Sequence, residues 1–310
     1  MNTLQSQKNQ KIRILVTGAT GQVGVALKQT CPEGFALRAT SREELDLSDI
    51  DSLAYRLEDL MHSFKPDFLV NAAAYTAVDR AESDEATANA VNAIAPGILA
   101  MVAAQANVPL LHYSTDYVFD GSKTGPYTEQ DLTGPLSAYG RSKLAGERAI
   151  ASAGGKWLIL RTCWVFGAHG ENFLKTMLRL ASTRDSLNVV NDQQGSPTSA
   201  ELIAQVTFQL IQTMNAEQEQ DPRWGLYHLS AAGSTTWFDY ARYLIARARE
   251  LGFDIRIKDE AIGPVPSAQY PTAAVRPMNS RLDTRLIEKT FGVRLSPWQD
   301  GVEDVLRKLK

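Results

Sequence analysis

Residues 12–24 read IRILVTGATGQVG, and this stretch decides the fold. Its first half is an apolar, β-branched run of the kind that forms a buried strand. Its second half places Gly18, Gly21 and Gly24 in a G-x-x-G-x-x-G pattern before a helix-like segment that Pro32 ends. Glycines at such a strand-to-helix turn let the backbone turn tightly and approach a pyrophosphate, whose charge then lies at the helix N-terminus. The stretch therefore predicts a dinucleotide-binding loop, and a tight turn without a ligand is the alternative.

The same alternation of strand and helix continues through the first half of the chain. Further apolar runs predict strands at 35–40, 66–74, 108–115 and 157–162. The helical patterns that separate them lie at 53–64, at 85–106 and from about residue 139. Strands that alternate with helices of this length indicate βαβ units, because parallel strands need a crossover connection. We therefore predict an α/β fold with a Rossmann-like, doubly wound parallel sheet.

The regular alternation weakens after about residue 163. Residues 198–201 (TSAE) form a capping-box pattern that predicts the start of a helix, and residues 236–251 predict another helix. We expect an NAD(P)-binding Rossmann domain over residues 11–165, with some later strands returning to its sheet. Residues 166–310 then form a smaller C-terminal α/β region that mainly binds the substrate.

The composition is that of a globular protein, with 310 residues, of which 44% are hydrophobic and 22% charged. The net charge of −3 gives no electrostatic reason to expect nucleic acid or an anionic membrane as a partner. The two cysteines, Cys31 and Cys163, are far apart, which favours a reducing compartment and gives no disulfide framework. The polar N-terminus predicts no signal peptide, and no apolar run approaches the ~18 residues of a membrane span. The four histidines lie at no metal-ligand spacing, so we predict no histidine metal site. The cysteine usage and the polar N-terminus favour a cytoplasmic protein.

The residues after the second predicted strand bear on the type of dinucleotide. NAD-binding loops usually place an acid here to hold the ribose hydroxyls, whereas NADP-binding loops place a cation near the 2′-phosphate. This strand continues as ATSR, so Arg42 comes first and no acid occurs before Glu43. Arg42 therefore favours NADPH, and NADH stays open because a merely solvated arginine also fits the sequence. Asp46, Leu47 and residues 71–74 end later loops at the same edge of the sheet, where the adenine and the nicotinamide ribose would pass.

Polar side chains that can move a proton follow the fourth predicted strand. The strand ends in YSTDYVFDG, so Ser114, Thr115 and Asp116 lie at the carboxyl edge of the sheet. Tyr139 and Lys143 follow in YGRSK, about one helical turn apart and therefore on one face. An ammonium near a phenol lowers its pKa, so Tyr139 could protonate a carbonyl oxygen to which the Thr115 hydroxyl also donates. The alternative is an ordinary helix in which the tyrosine packs and the lysine is solvated.

These motifs together resemble the extended short-chain dehydrogenase/reductase family. The resemblance covers nearly the whole chain, and the similar blocks are, in order, TGATGQVG, NAAAYTAVDRAE, HYSTDYVFDG, YGRSKLAGE, RTCWVFG, NDQQGSPT and RPMNSRLD. It implies that Tyr139 is the proton donor, Lys143 its partner and Thr115 the hydroxyl that tunes it. It also implies that a nucleotide-sugar contacts Thr115, Asp116 and Trp164, with core packing as the alternative for the tryptophan. Besides Tyr139 and Lys143, the residues that the resemblance implies for NADPH binding are Gly21, Gln22, Val23, Asp46, Leu47, Ala72, Ala73, Ala74, Tyr75 and Thr76.

The branch of the family that the chain resembles implies a nucleotide-sugar reductase. The implied reaction is reduction by NADPH of the C4 keto group of dTDP-4-dehydro-β-L-rhamnose to dTDP-L-rhamnose. Related dehydratases carry Thr-Asp-Glu where this chain has Thr115, Asp116 and Tyr117, which favours reduction over loss of water. The alternatives are a non-catalytic dinucleotide-binding regulatory subunit and a reductase or epimerase of another nucleotide-sugar.

The sequence departs from the family's pattern at the positions that concern a metal. Some family members dimerise around Mg²⁺ held by acidic side chains, and the corresponding positions here carry Ala26 and Gln299. Neither side chain is an acid, so Mg²⁺ is doubtful and we predict no metal. A homodimer stays one of the options for the assembly.

Overall fold

The computed structural model describes residues 11–215 and 221–310. Residues 1–10, which belong to the polar N-terminus, and 216–220 lie outside the described residues. The strands are, in chain order, β1 Ile12–Thr17, β2 Phe35–Ala39, β3 Phe68–Asn71, β4 Leu110–Thr115, β5 Trp157–Thr162, β6 Val165–Phe166, β7 Leu187–Val190, β8 Gln194–Gly195, β9 Thr198–Ser199, β10 Gly225–His228, β11 Thr235–Thr236 and β12 Ile262–Val265. Within these described residues, β6 pairs with β9, β7 with β12 and β8 with β11, and the other strands form one central sheet.

The central sheet is entirely parallel and has the strand order β2-β1-β3-β4-β5-β10. The chain passes from β1 to β2 on one side and then to β3 on the other side, so the order reverses between β1 and β3. In open sheets of this kind, ligands bind in the crevice beyond the carboxyl ends of the strands at that point. The predicted doubly wound α/β sheet is confirmed, and the loops after Thr17 and Asn71 border its crevice.

Helices cover both faces of this sheet. They are, in chain order, α1 Gln22–Gln29, α2 Ile50–Phe64, α3 Val78–Ala81, α4 Glu85–Asn89, α5 Ala95–Gln105, α6 Ala138–Ala153, α7 Phe173–Thr183, α8 Ala200–Asn215, α9 Trp237–Glu250, α10 Arg285–Phe291 and α11 Trp298–Leu309. Side chains alternate along β1, so Ile14 and Val16 pack in one core with α1, and Leu15 packs in the other with α2 and α5. This two-sided burial explains why β1 is apolar at nearly every position.

The helix predicted at 85–106 contains a π-helical turn, Ala90–Ile94, between α4 and α5. This turn carries the buried Asn92, whose Oδ1 accepts from the Tyr75 N–H at 2.8 Å and whose Nδ2 donates to the Tyr75 carbonyl oxygen at 3.0 Å. Such turns occur often at functional sites. Here the turn fixes the loop that follows β3.

The C-terminal half joins the sheet and extends its core. Strand β10 pairs in parallel with β5, and helix α8 packs against α1. One core therefore includes Ile14 of β1, Leu210 of α8 and Val302 of α11. The division between residues 165 and 166 stays a prediction, because the two halves share this core.

The two predicted helix starts in this half differ in their accuracy. Helix α9 begins after Thr236, whose side chain accepts from the Asp239 N–H at 3.0 Å, close to the predicted start. The capping-box prediction at 198–201 was wrong by one position, since Thr198 lies in β9 and donates to the Ser196 carbonyl oxygen at 2.9 Å. Ser199 instead accepts from the Leu202 N–H at 3.2 Å, while the Thr198 hydroxyl accepts from the Ala231 N–H.

The segment Glu85–Gln105 is long and apolar enough, by length and composition alone, to cross a membrane. This corrects the expectation that no apolar stretch reaches that length, because the segment has few charges and many alanines. Half of its most apolar window is buried, and the segment packs against α2 and α6. The segment contributes Leu99, Val102 and Ala103 to the core on that face of the sheet.

Candidate active site

The glycine loop between β1 and α1 is shaped by two close backbone approaches. Gly18 has φ = 72°, and a Cβ atom there would lie 2.4 Å from the Ala73 nitrogen. A Cβ atom on Gly24 would lie 2.1 Å from the Gly18 carbonyl oxygen. The fold itself therefore needs glycine at both positions. Gly21, the N-cap of α1, has only one atom near its Cβ position, at 3.5 Å, so the N-terminus of the helix stays open to a ligand.

A cleft of about 1010 Å³ lies along the carboxyl edge of the sheet. Arg42, after the edge strand β2, borders one end, and Tyr139 of α6 borders the other. Of the predicted site residues, only Gly24 does not line the cleft, because it packs beneath the glycine loop. The site residues that do line it are Gly18, Gly21, Gln22, Val23, Arg42, Asp46, Leu47, Ala72, Ala73, Ala74, Tyr75, Thr76, Thr115, Asp116, Tyr139, Lys143 and Trp164.

Arg42 forms the positive end of the cleft. Its side chain is exposed, and its Nε lies 3.1 Å from Asp46 Oδ2. Ser48 and Arg42 hydrogen-bond to the Asp46 carboxylate and hold its pKa below the ordinary value. Asp46 is therefore ionised beside the arginine. An anionic group that arrives here meets a cation that is already oriented by its neighbour.

Tyr139 lies on the first turn of α6, partly exposed to the cleft. Its ring meets the ring of Tyr117 edge to face, with centroids 5.6 Å apart. Burial by the surrounding protein raises the pKa of Tyr139 to about 12, and a hydrogen bond with the Thr115 side chain partly offsets this. The phenol therefore carries its proton at neutral pH, as a proton donor must.

Lys143 is 1% exposed and lies one helical turn after Tyr139. Its Nζ donates to the Tyr113 carbonyl oxygen at 2.7 Å and lies 3.0 Å from His112 Nε2. Burial lowers the pKa of Lys143 to about 8. This arrangement differs from the expectation, since the amine is bonded to β4 and the pKa of Tyr139 is raised rather than lowered.

Asp116 lies at the end of β4 and is 2% exposed. Its Oδ1 accepts from the Thr115 hydroxyl at 3.0 Å, and the Ser280 side chain also hydrogen-bonds to the carboxyl. Burial raises the pKa of this carboxyl to about 6. Asp116 therefore lines the cleft as a buried carboxyl that its neighbours hold in place.

Aromatic residues from both sides of the predicted domain boundary form one wall of the cleft. Trp164 has φ = 48°, and its ring stacks on Trp237 with centroids 3.5 Å apart. A Cβ atom on Gly195 would lie 2.4 Å from the Trp164 ring, so glycine is what admits the indole here. The positive φ marks a strained backbone, and the indole both lines the cleft and packs against the core.

Sequence inspection missed several residues of this wall. Trp237, Phe173 and Tyr240 line the cleft, although each reads as an ordinary apolar residue of a helix. Asn172 also lines it and donates to Gln22 Oε1 at 2.8 Å, which ties the glycine loop to the C-terminal half. The sequence offered one signal, namely that Asn172 precedes a helical pattern as an N-cap residue.

The structure shows what surrounds Ala26, where some family members place an acidic metal ligand. Ala26 is 3% exposed and packs in the core between α1 and the sheet. In the part of the chain that the structure describes, no three His, Cys, Asp or Glu side chains are grouped so that they could hold a metal ion.

The parallel sheet, the glycine loop and the Tyr139–Lys143 pair define a dinucleotide-dependent oxidoreductase of the extended short-chain dehydrogenase/reductase class. The chain belongs to the family described as RmlD substrate binding domain, whose model matches residues 12–310. It is similar to the dTDP-4-dehydrorhamnose reductase of Burkholderia thailandensis, with 44% identity over 299 residues that cover 96% of this chain and 99% of that protein. The enzyme of the same name from Escherichia coli K12 is 43% identical, with 96% and 98% of the two chains covered.

Solved structures show the same likeness in three dimensions. A crystal structure of dTDP-4-dehydrorhamnose reductase from Bacillus anthracis in complex with NADP matches with a TM-score of 0.86 and 30% identity. The match covers 96% of this chain and 99% of that chain. The cleft and the C-terminal wall described above therefore both lie within the matched region.

Proposed function

We propose that this protein is a dTDP-4-dehydrorhamnose reductase, which uses NADPH to reduce the C4 keto group of dTDP-4-dehydro-β-L-rhamnose to dTDP-L-rhamnose. The observation that carries the proposal is the convergence of Tyr139, Lys143 and Thr115 at one end of a cleft whose other end holds Arg42. The two relatives described above, which match over nearly the whole chain, bear this enzyme name.

The cleft fits a dinucleotide phosphate along its length. The open side of Gly21 at the start of α1 accommodates a pyrophosphate, and Arg42 is placed for a 2′-phosphate. The loop over 72–76 would pass beside the nicotinamide ribose. When bound, NADPH supplies the hydride of the reduction.

Tyr139 supplies the proton in this proposal. Its O–H holds the proton at neutral pH and donates it to the oxygen of the keto group as negative charge develops there. The Thr115 hydroxyl, at the end of β4, hydrogen-bonds at the same place and orients the phenol. A positioned general acid of this kind contributes roughly 10²–10⁴-fold to the rate.

The residue at position 117 supports reduction rather than elimination. The residue that follows Asp116 at the end of β4 is Tyr117 rather than an acid, and its ring packs edge to face on Tyr139. Loss of water needs a second acid–base group beside the sugar, which this position does not provide.

Residues from both sides of the predicted domain boundary supply the surface for the nucleotide-sugar. Trp164 and Trp237 present an apolar, aromatic wall, and the Asp116 carboxyl lines the same cleft. In this proposal residues 11–165 bind the cofactor and residues 166–310 mainly bind the substrate. A cytoplasmic location and a homodimer stay predictions of the sequence.

The test is the loss of NADPH absorbance with the keto-sugar generated in situ, for the wild type and for Tyr139→Phe. Turnover by the wild type that disappears in the variant, with cofactor binding retained, supports both the reaction and the proton donor. Binding of NADPH without turnover would favour another keto-sugar or the regulatory subunit. A panel of nucleotide-linked keto-sugars then separates those two outcomes, because a regulatory subunit reduces none of them.

A further inference from the structure

A line of buried polar side chains joins β1 to α6 beneath the cleft. Thr17 Oγ1 lies 2.6 Å from Asn71 Oδ1, and Asn71 Nδ2 lies 2.9 Å from His112 Nδ1. His112 Nε2 in turn lies 3.0 Å from Lys143 Nζ. None of the four side chains is more than 1% exposed. Because all four side chains are buried and bonded to one another, each hydrogen in the line must have a defined place.

The backbone N–H of Ala73 decides which end of the Asn71 amide faces His112. This N–H can only donate, and its nitrogen lies 3.1 Å from Asn71 Oδ1. The opposite amide orientation would set the NH₂ group against it, with two donors face to face. Asn71 therefore turns Nδ2 toward His112. Since an amide nitrogen only donates, His112 Nδ1 accepts.

The acceptor at Nδ1 fixes the rest of the line. Burial lowers the pKa of His112 well below its ordinary value, so the ring is neutral. A neutral imidazole has one N–H, which must then be at Nε2, pointing at Lys143 Nζ. An ammonium offers no lone pair to this donor, whereas an amine offers one. The amine can still donate its own N–H to the Tyr113 carbonyl oxygen.

One charge near Lys143 opposes a neutral amine, but burial outweighs it. Glu147, one turn later on α6, raises the lysine pKa, whereas burial has the larger effect and lowers it to about 8, so the amine predominates above about pH 8. The Glu147 carboxylate is also bonded to Arg161 of β5 and to the Ser114 hydroxyl of β4. The other titratable neighbour on α6 is Tyr139, whose phenol is neutral. Lys143 therefore has no free counterion beside it.

We propose that His112 is a positioning residue, which presents its Nε2–H to Lys143 Nζ and holds the lysine as a neutral amine. This amine gains one proton when the dinucleotide binds. The proton comes from the solvent and forms the third N–H bond at the Nζ lone pair, so the Nε2–H···Nζ hydrogen bond is lost and the side chain is released. The ammonium can then donate to ribose hydroxyls and lower the pKa of Tyr139. Only the step on cofactor binding rests on the proposed function.

The histidine tautomer tests the first half directly in the free protein. Long-range ¹H–¹⁵N correlation on ¹⁵N-histidine-labelled protein at about pH 9, roughly one unit above the lysine pKa, reports which ring nitrogen carries the hydrogen. We expect Nε2–H at His112. His228 is the internal control, because its Nδ1 faces the Tyr127 carbonyl oxygen at 3.0 Å and must carry the hydrogen. An Nδ1–H tautomer at His112 would overturn the proposal, since it means a reversed Asn71 amide and a charged lysine.

Two matched substitutions separate this mechanism from mere packing. In Asn71→Asp, a carboxylate oxygen replaces Nδ2 and accepts from His112, so we expect the tautomer to change to Nδ1–H and Lys143 to become charged. In Thr17→Val, the Ala73 N–H still orients the Asn71 amide, so we expect the wild-type tautomer. The same tautomer in all three proteins would contradict the proposal. If the aspartate variant does not fold, the tautomer of His112 in the wild type and in Thr17→Val still tests the proposal, because Nδ1–H in either protein would overturn it.

Calorimetry of NADPH binding tests the second half. Titrations at about pH 9 in two buffers with different ionisation enthalpies give the number of protons taken up on binding. We expect uptake that approaches one proton in the wild type and in Thr17→Val, and little uptake in Asn71→Asp. Equal, negligible uptake in all three would refute the coupling. No binding heat at all would instead count against the proposed function, and the tautomer result would stand by itself.

Discussion

The Arg161 guanidinium and the Glu147 carboxylate form a two-point ion pair inside the protein. Arg161 Nε lies 2.8 Å from Oε1 and Nη2 lies 2.6 Å from Oε2, and both side chains are under 8% exposed. Glu147 follows Tyr139 and Lys143 at successive intervals of four residues, so all three lie along one face of α6. The pair therefore fixes the helix that carries the proton donor against β5.

The first prediction concerns this pair. Glu147→Gln leaves the Arg161 charge buried without a counterion, so we expect the free energy of unfolding to fall by about 3–5 kcal/mol. Chemical denaturation measures this. The matched control is Glu85→Gln, which breaks an exposed pair with Arg141 and should cost less than about 1 kcal/mol. Similar losses in the two variants would show that burial of the Arg161 pair does not matter.

Local sequence pattern predicted the parts of the site that lie at the ends of strands and on one helical turn. The glycine loop, Thr115 and the Tyr139–Lys143 pair belong to this group, because their residue types and spacing are visible within a few residues of sequence. His112 was not predicted as part of the site, since its bond to Lys143 joins residues 31 apart and its strand reads as plain core. Trp237 was missed because only the packing of α9 against Trp164 brings it to the cleft.

The same reasoning explains the return of β10 to the sheet and the shifted start of α8. Residues 225–228 are too few for their periodicity to identify a partner strand. Ser199 replaces Thr198 at the helix start because the Thr198 hydroxyl accepts from the distant Ala231 N–H instead. In each case a tertiary contact decided between local alternatives that the sequence allowed.

The second prediction concerns the Thr115 hydroxyl. Thr115→Val keeps the shape of the side chain but removes its hydrogen bonds to Tyr139 and to the Asp116 carboxylate. Since hydrogen bonds to charged groups contribute roughly 1.5–3 kcal/mol, we expect kcat to fall about 10- to 150-fold. Thr115→Ser retains the hydroxyl and should stay within roughly 5-fold of the wild type. A serine variant as slow as the valine variant would mean that the methyl group, not the hydroxyl, matters.

The third prediction uses the raised pKa of Asp116. Its folded-state pKa of about 6 lies above the unfolded value of about 3.9, so the folded protein binds more protons in this window and loses stability as pH rises through it. Asp116→Asn removes this titration. We expect the variant to be more stable than the wild type at about pH 8, on the order of 1–3 kcal/mol, and the difference to vanish below about pH 4.

Asp131 provides the control of opposite sign for this measurement. Hydrogen bonds from Lys123 and from the Thr128 backbone lower its pKa, so its contribution is present at neutral pH and is lost as pH falls through the lowered folded pKa. Asp131→Asn should therefore destabilise the protein at neutral pH and have less effect in acid. Urea denaturation of both variants across pH measures these trends, and a stability difference for Asp116→Asn that does not change with pH would contradict the prediction.

The fourth prediction concerns the choice of dinucleotide. Arg42 is exposed at the end of the cleft and oriented by Asp46. Arg42→Ala should raise KM for NADPH roughly 10- to 100-fold and change KM for NADH less than about 3-fold, because only NADPH carries the 2′-phosphate. The matched control is Arg56→Ala, which removes an exposed arginine that donates to the Glu43 carbonyl oxygen outside the cleft. Equal losses with the two cofactors would show that Arg42 does not read the phosphate.

The fifth prediction concerns the crossing of the glycine loop and the loop after β3. Gly18 has φ = 72°, and a Cβ atom added at this position would lie only 2.4 Å from the Ala73 nitrogen. In Gly18→Ala the two loops must move apart and the backbone is strained, so we expect a loss of about 1–3 kcal/mol in stability and weaker NADPH binding. Gly34→Ala is the control, because its Cβ atom meets nothing within 4 Å. Thermal unfolding with and without NADPH measures both effects, and a Gly18→Ala protein that NADPH stabilises as much as the wild type would show that the crossing does not shape the cofactor site.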